Sequence, residues 1–423
     1  MAGRWGRPPD LHAIMTAAAA PLPPADPVWR RGLVRAAIAY AFSRLCVVVG
    51  AALVAAELRA DENYRLEKFP LARWADPYYW NKPIPTHASG PMLDVLTSWD
   101  GLWYLRIVRA GYPTSVRPHV TYDVADARAA FFPAYPMLVR VADRLLPGGD
   151  VAASLLVNLV LGGVVVWLTG LLARRAFGDD VAVRAMVLVA MFPGSFVLSF
   201  AYTEALLLAA VTACLLALHE RRWLTAGLLA AIASATRPNG VAIVAACAVA
   251  AVLAIRDRRE WRSLVAVLLA PLGFVVFQWW LGRHTGEPGV WFRVQTEAWG
   301  EGASFGLTAL RRTWRAIASP LTSPTNVITA VSLVTTVLLV WFARRVRLPL
   351  TMAAYSGVVL LLMLLPATVT ARPRFLYTAL PLLIAAAVWI ERHRRHWWPS
   401  VYAACAVGLV ALTTLYGVYG AIP

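Results

Sequence analysis

VAASLLVNLVLGGVVVWLTGLLARR (Val151–Arg175) carries no charged residue from Val151 to Leu172 and then closes on the pair Arg174 and Arg175. About 20 apolar residues rising ~1.5 Å each cross the ~30 Å hydrocarbon core of a bilayer. Arginines directly after such a run mark its cytoplasmic end. The same unit, an apolar run followed by a short arginine cluster, recurs along the chain and decides the fold class. Of the 423 residues, 59% are hydrophobic and only 15% are charged, against about 25% in soluble domains. Mean hydropathy is +0.60.

Ten further spans follow from this pattern: Leu33 to Leu58, Val181 to Phe200, Glu204 to Leu218, Trp223 to Thr236, Val241 to Ile255, Leu264 to Leu281, Val327 to Phe342, Leu350 to Val369, Phe375 to Ile390 and Val401 to Tyr419. The expectation is an all-α polytopic membrane protein of about eleven transmembrane helices. Arginine clusters occupy alternate connections: Arg30 and Arg31, Arg174 and Arg175, Arg221 and Arg222, Arg256 with Arg258 and Arg259, Arg344 with Arg345 and Arg347, and Arg392 with Arg394 and Arg395. All fall on one side, which the positive-inside rule makes cytoplasmic, together with the N-terminus. The net charge of +17 is therefore read as topology signal and anionic-lipid contact, with no nucleic-acid partner.

Lysine occurs only at Lys68 and Lys82, and alanine is abundant, which points to a GC-rich bacterial genome and a plasma-membrane location. Cys46, Cys214, Cys247 and Cys405 lie in apolar runs, so neither a disulfide nor a metal cluster is expected. The first run is long and lacks a small-residue cleavage site, so no signal peptide is expected. Residues 1–30, rich in Pro and Ala, read as a flexible cytosolic tail ahead of a single transmembrane domain over 31–423.

FFPAYPMLVRVADRLL (Phe131–Leu146) would reverse every later arginine cluster if it spanned. Pro133, Pro136, Arg140, Asp143 and Arg144 interrupt it, so it reads as interfacial or re-entrant on the outer side. Two long outer loops remain, at about 59–150 and 282–326, and the first is too long for a mere connector. The second contains SFGLTALRRTWRAI (Ser304–Ile317). Leu307, Leu310, Trp314 and Ile317 there recur at helical spacing opposite Arg311, Arg312 and Arg315, as on a helix lying in the membrane surface.

Three constellations carry chemistry. SWDGLWYLRIVRAGYP (Ser98–Pro113) reads as a short helix with Trp99, Trp103 and Ile107 on one stripe and a stop at Gly111 and Pro113. Tryptophans on such a helix favour the bilayer interface, which sets Asp100 at the outer surface. A carboxylate there suits a general base taking a proton from an attacking hydroxyl. It equally suits a helix start stabilised by the dipole. Asp94, Asp123 and Asp126 share the loop without that aromatic setting, and His87 and His119 stand apart.

Arg237 in ATRPNG, and Arg372 and Arg374 in TARPRFLY, sit in short outer turns where arginine is unusual. Phosphate recognition by planar guanidinium forks is one reading. Snorkelling toward headgroups is the other. Tyr202 and Glu204 in FAYTEALLL open a span from the outer side; Glu204 reads as an orienting or hydroxyl-binding group, or as a dipole-stabilised helix charge. No zinc spacing, P-loop or dinucleotide fingerprint occurs, so no cofactor is expected.

Taken in order, SWDGLWYLRIVRAGYP, FFPAYPMLVR, MFPGSFVLSFAYTEALLL (Met191–Leu208), the RPNG turn (Arg237–Gly240) and ARPRFLYTALPLL (Ala371–Leu383) resemble the PIG-V-type mannosyltransferases of the GT-C class. The resemblance implies transfer of a sugar, typically mannose, from a polyprenyl-phosphate carrier to a lipid-linked glycan or glycolipid acceptor on the non-cytosolic face. It maps the acidic base of the first outer loop onto Asp100. The matching motifs add Trp99, Tyr135, Asn239 and Tyr377 as substrate-binding or supporting residues. A lipid transporter or flippase is the competing class, although no internal repeat of the kind many transporters carry is evident. A non-catalytic scaffold would not need these charges together.

The orientation is directly testable. Cysteines introduced near Gly178 and Asp257 should be shielded from an impermeant thiol reagent in intact cells, and those near Ser115 and Gly302 labelled. Labelling at Asp257 from outside would overturn it.

Overall fold

The computed structural model of the chain describes residues 27–68, 91–122, 124–302, 304–365 and 372–418. Most of the N-terminal tail, Lys82, His87, Asp123, Tyr419 and the end of the run expected at Leu350 to Val369 lie outside them. Among the described residues all regular structure is helical: α1 (Pro27–Lys68), α2 (Pro91–Leu96), α3 (Asp100–Ala110), α4 (Ala134–Leu145), α5 (Gly149–Phe177), α6 (Asp179–Met191), α7 (Glu204–His219), α8 (Trp223–Ser234) and α9 (Ile243–Arg258) in the first part. The second part holds α10 (Leu264–Leu269), α11 (Leu272–Thr285), α12 (Val290–Trp299), α13 (Leu307–Ala318), α14 (Pro324–Val346), α15 (Leu350–Leu364), α16 (Pro373–Thr378), α17 (Pro381–His393) and α18 (Trp398–Gly417), with short 3-10 turns between some of them.

Within the described residues, each of the eleven expected runs falls wholly or partly on helix. Among the described residues, six helical stretches are by themselves long and apolar enough to cross a bilayer, and the pair Asp179–Met191 with Pro193–Ser199 makes a seventh if counted as one bent span. The others are shorter or broken: α7, α8 and α15 are 10–17-residue apolar helices, and the run Phe375 to Ile390 divides between α16 and α17. Of these, α7 is buried along most of its length, whereas α8 and α15 also turn an apolar side outward, with Leu224, Leu228, Leu350 and Leu361 51–60% exposed. α7 lies between α5 and α8, α9 packs on α15, and α18 closes against α1. Alanines such as Ala185, Ala205, Ala230, Ala246 and Ala385, all fully buried, let the backbones approach closely, as bilayer packing requires.

The bend after α6 arises from Pro193. Proline has no N–H to donate and its ring crowds the carbonyl four residues back, that of Val189. The freed carbonyl is satisfied from elsewhere: the Tyr377 hydroxyl donates to Val189 O at 2.9 Å. Ala190 O accepts from the Ser195 hydroxyl at 2.7 Å. The buried guanidinium of Arg44, on α1, donates to Ser195 O and Ser195 Oγ at 2.8 Å and to Ser199 Oγ at 2.9 Å. The two halves of the bent pair meet at 70°. Gly194 stands at the closest approach: a Cβ there would lie 2.5 Å from Pro373 O and 2.7 Å from Tyr377 Cβ. Only glycine admits the turn holding Arg372 and Arg374 against this break.

Beyond the bend, the chain turns tightly from Phe200 to Tyr202, the Tyr202 amide donating to Phe200 O at 2.7 Å, and its carbonyls need further donors in a dry interior. Asn158, in the middle of α5 and fully buried, supplies them: its Nδ2 donates to Phe200 O, to Tyr202 O at 2.7 Å and to the Tyr135 hydroxyl at 3.2 Å. The Ala201 amide donates to Leu96 O at 2.9 Å, tying this segment to the end of α2. Phe131–Leu146 yields the twelve-residue α4, too short to span. It buries Tyr135 and Val139 and exposes Val141 and Leu145, as a helix at an interface does.

The stripe Trp99, Trp103 and Ile107 behaves differently from the expectation. Trp103 and Ile107 are 5% and 0% exposed and point into the protein. Trp103 stacks on Phe131 and meets Trp299 edge-on, both centroids at 5.8 Å. The second outer loop contributes α12 and covers this face, so the aromatic stripe is a core between the two loops instead of an anchor in lipid.

Removing the Asn158 amide should leave Tyr202 O without its donor and Phe200 O with the Tyr202 amide alone. An unsatisfied buried polar group costs about 1–3 kcal/mol, so Asn158→Ala should lower unfolding free energy in detergent by at least that much. Stability equal to the parent protein would show that another donor serves Tyr202 O.

Candidate active site

Four charged side chains from four separate segments meet at the end of the bundle that the arginine pattern assigns as outer. Glu204 begins α7 and its side chain is 1% exposed. It accepts a hydrogen bond from Arg237, the residue just before the Pro238–Ala242 turn. Arg374, on α16, lies with its Nε 2.9 Å from Glu204 Oε1, an ion pair not aligned as a hydrogen bond. Its Nη2 donates to Asp100 Oδ2 at 2.5 Å. The order Asp100–Arg374–Glu204–Arg237 alternates in sign and sums to zero. Alternation lets the three inner members stay buried, because a buried charge is tolerable only when paired. Asp100, with 29% of its side chain exposed, is the open end; Arg374 and Arg237 keep 8% and 10%.

Aromatic rings hold the chain of charges in place. The Arg374 guanidinium lies over Tyr202 at 5.0 Å and over Phe375 at 5.3 Å, and Arg237 covers Phe375 at 5.3 Å. A guanidinium over a ring face gains from the ring quadrupole, most strongly when desolvated. The Tyr202 hydroxyl donates to Ser98 O and accepts from the Asp100 amide, each at 3.3 Å. It thereby clips the segment after the bend to the first turn of α3.

Trp99 precedes Asp100 with φ +57° and ψ −118°, a conformation bulky side chains avoid. Its ring is anchored on α18: Nε1 donates to Tyr416 O at 3.1 Å, and the rings of Trp99 and Tyr416 lie 5.6 Å apart. That anchor and Tyr202 over-determine the turn from which Asp100 projects.

Arg372 is set apart from this network. It is half-buried, and its Nε has no hydrogen-bond partner. Burial lowers its pKa to about 10, and the neighbouring guanidiniums of Arg374 and Arg312 push the same way, opposed by Glu301 and Asp100. A cation held among cations, short of solvent and with an idle donor, is prepared for an anion.

The structure therefore divides the three arginines expected to bind phosphate. Arg237 and Arg374 are engaged by carboxylates, Arg374 through an Nε that is ion-paired without an aligned hydrogen bond, whereas Arg372 keeps a buried Nε with no hydrogen-bond partner. Tyr135 and Tyr377 are fully buried with hydroxyls committed to Ser154 O, 3.2 Å, and Val189 O, so neither reaches the open end. Asn239 donates to Thr378 Oγ1 at 3.3 Å, joining the RPNG turn to α16. Phe375, Asn158, Tyr416 and Arg44 went unread in the sequence. Asn158 and Arg44 carried a signal nonetheless, as polar residues inside apolar runs. Among the described residues no group of three or more His, Cys, Asp or Glu side chains is placed to hold a metal.

Residues 133–281 match the family model described as dolichyl-phosphate-mannose-protein mannosyltransferase. No curated protein matches the chain. Among solved structures it is similar to ArnT from Cupriavidus metallidurans bound to undecaprenyl phosphate, with 15% identity, 78% of this chain and 60% of that chain covered, and a TM-score of 0.49. The apo form of that ArnT gives 16% identity, 76% and 59% coverage, and a TM-score of 0.48. The Archaeoglobus fulgidus oligosaccharyltransferase crystallised with zinc and sulfate gives 15% identity, 89% and 53% coverage, and a TM-score of 0.40. The chain thus spans about three fifths of the length of the ArnT structures.

Glu204 should matter to stability more than Asp100 does. Glu204→Gln leaves two buried guanidiniums facing each other, and breaking a buried pair costs about 3–5 kcal/mol. Asp100→Asn frees one arginine from a partly exposed partner and should cost clearly less. Equal losses for the two variants in chemical unfolding would contradict the alternating network.

Proposed function

We propose that this chain is a GT-C-type glycosyltransferase. In this reading it moves a sugar, mannose in the first instance, from a polyprenyl-phosphate donor to a lipid-linked glycan or glycolipid acceptor at the outer face of the membrane. The observation that carries the reading is a partly exposed carboxylate, Asp100, together with an under-coordinated guanidinium, Arg372, at the outward end of a polytopic bundle. The family-model match over residues 133–281 supports the donor chemistry, since that family is described by a polyprenyl-type phosphate mannose donor.

The chemistry follows from the charges. An acceptor hydroxyl attacks the anomeric carbon while the bond to the phosphate oxygen breaks on the opposite face, so a single displacement inverts that centre. The hydroxyl proton passes to Asp100. Arg374 binds Oδ2, which leaves Oδ1 to take the proton. The leaving phosphate gains negative charge as the bond breaks, and Arg372 answers it with a planar fork. Glu204, Arg237 and Tyr202 position Arg374 and, through it, Asp100. Because the four-membered network is neutral, phosphate attraction must come from outside it, which favours Arg372.

Asp100→Asn keeps the size and the acceptor oxygen for Arg374 yet removes the proton acceptor. General-base assistance is worth about 10²–10⁴-fold, so turnover of synthetic polyprenyl-phosphate mannose with a panel of glycolipid acceptors should fall in that range while donor binding persists. Near-normal turnover by the folded variant would move the base elsewhere. Wild-type protein that binds the donor without releasing polyprenyl phosphate would favour a transporter. Polyprenyl-phosphate arabinofuranose or glucose used in preference would replace mannose.

A further inference from the structure

From Gly302 to Pro423 the sequence holds one acidic residue, Glu391. It sits near the end of α17 with its side chain 4% exposed and already engaged. Arg395 donates to Oε1 and the Trp398 ring N–H to Oε2, each at 2.7 Å, and Arg184 Nε lies 3.3 Å from Oε2. The other arginines of this stretch have no acid left to meet. Arg344, Arg345, Arg347, Arg392 and Arg394 are exposed, and among the described residues none of them forms an ion pair. Several arginines at the same end of the bundle are matched instead: Arg174 with Asp179, Arg175 and Arg222 with Glu220, Arg221 with Glu260 and Arg256 with Asp257.

The set without carboxylates rests on a floor of aromatic rings. α14 and α17 pack together through Trp341 and Phe342 against Trp389, with centroids 5.0 and 4.9 Å apart. Trp389 also stacks on His393 at 5.1 Å and meets Trp397 at 5.9 Å. The Arg345 guanidinium lies over Trp341 at 5.2 Å, and that of Arg394 over Trp397 at 5.9 Å. Arg394 also donates one N–H to His393 O at 3.0 Å. Such contacts orient a guanidinium without cancelling its charge. Toward the membrane middle, α14 presents Val331, Val334, Leu338 and Trp341, 39–60% exposed, at the three-four spacing of one helix face, and the same spacing arrives next at Arg345. That stripe runs apolar, aromatic, cationic, the order in which a bilayer presents tails, interface and phosphates.

We propose that this patch is a site for one anionic phospholipid, its phosphate taken by Arg345 and Arg394 and an acyl chain laid along the α14 stripe. The site lies at the end of the bundle away from Asp100. α17 follows α16, which carries Arg374, and ends thirteen residues on at His393. It is therefore independent of the transfer reading. Charge selects the lipid class: a zwitterionic headgroup brings its own cation and gains less from guanidiniums that have no acid beside them.

The test is titration of the full chain in detergent micelles with phosphatidylglycerol, read by native mass spectrometry as the protein–lipid complex. Wild type should fill one saturable site, with phosphatidylcholine weaker by about tenfold or more. Arg345→Gln combined with Arg394→Gln should weaken phosphatidylglycerol by about ten- to a hundredfold, the loss of charge-assisted phosphate contacts. Trp341→Leu keeps every charge and removes the ring under Arg345, so it should cost about two- to fivefold. Arg259→Gln combined with Arg262→Gln removes as much charge from exposed positions at the same end and should stay within about twofold of wild type.

Equal losses in the two double variants would reduce the effect to bulk electrostatics and overturn the site. Equal affinity for phosphatidylcholine would overturn it as well. Glycerol phosphate, a headgroup without chains, competing as tightly as phosphatidylglycerol would leave an anion site and overturn the lipid assignment. Should the Arg345 and Arg394 double variant fail to fold, each single substitution carries the same comparison, with an expected loss of about fivefold or more.

Discussion

A charge can be kept out of water beside a bilayer only if its partner is built in next to it, and this requirement organises the outer end of the bundle. Glu204 sits between Arg237 and Arg374, and Arg374 extends the alternation to Asp100. Each inner member is desolvated and each is matched, so none can move alone without exposing an uncompensated charge. The outcome is a rigid post carrying one partly exposed carboxylate. Rigid placement of a reactive group is what single-displacement transfer requires, since reorganisation at the moment of reaction is avoided.

The supports of that post are backbone repairs. Pro193 interrupts a spanning helix, and the interruption allows the chain to turn through Phe200–Tyr202 and restart as helix at Glu204. Such a break is stable in a dry interior only if every released carbonyl finds a donor. Tyr377, Ser195, Arg44 and Asn158 supply donors from three different helices and the break itself. Tyr377 and Arg374 share the short helix α16, so the segment that repairs the bend also delivers a guanidinium to the site.

Much of this is legible in the sequence. Apolar runs and alternating arginines marked the helices, because lipid exposure imposes composition directly. Asp100, Glu204, Arg237, Arg372 and Arg374 stood out because ionisable residues are rare beside hydrocarbon. Their division of labour was not legible. Asp100 and Arg374 are 274 positions apart, and nothing local tells which of three arginines a carboxylate will claim. The tryptophan stripe of α3 misled for a related reason: an interfacial aromatic face and a face buried under a second loop have the same spacing. Tyr135 and Tyr377 were grouped with the site by motif, whereas their hydroxyls answer backbone carbonyls. Asn158 and Arg44 were overlooked as isolated polar residues within runs counted only for hydrophobicity.

The sequence order of the four-membered network has a bearing on how the protein is made. Membrane proteins leave the ribosome from the N-terminus, at about 5–20 residues per second, and domains emerging first fold first. Glu204 and Arg237 are 33 residues apart and emerge as one hairpin, so the most buried carboxylate meets a counter-charge almost at once. Asp100 appears earlier still, yet it is the member that water can reach, and it tolerates the wait. Arg374 arrives only with the last third of the chain and slots between two acids already in place. Within the four-membered network no deeply buried charge waits longer than one hairpin's length of chain for a partner to be translated.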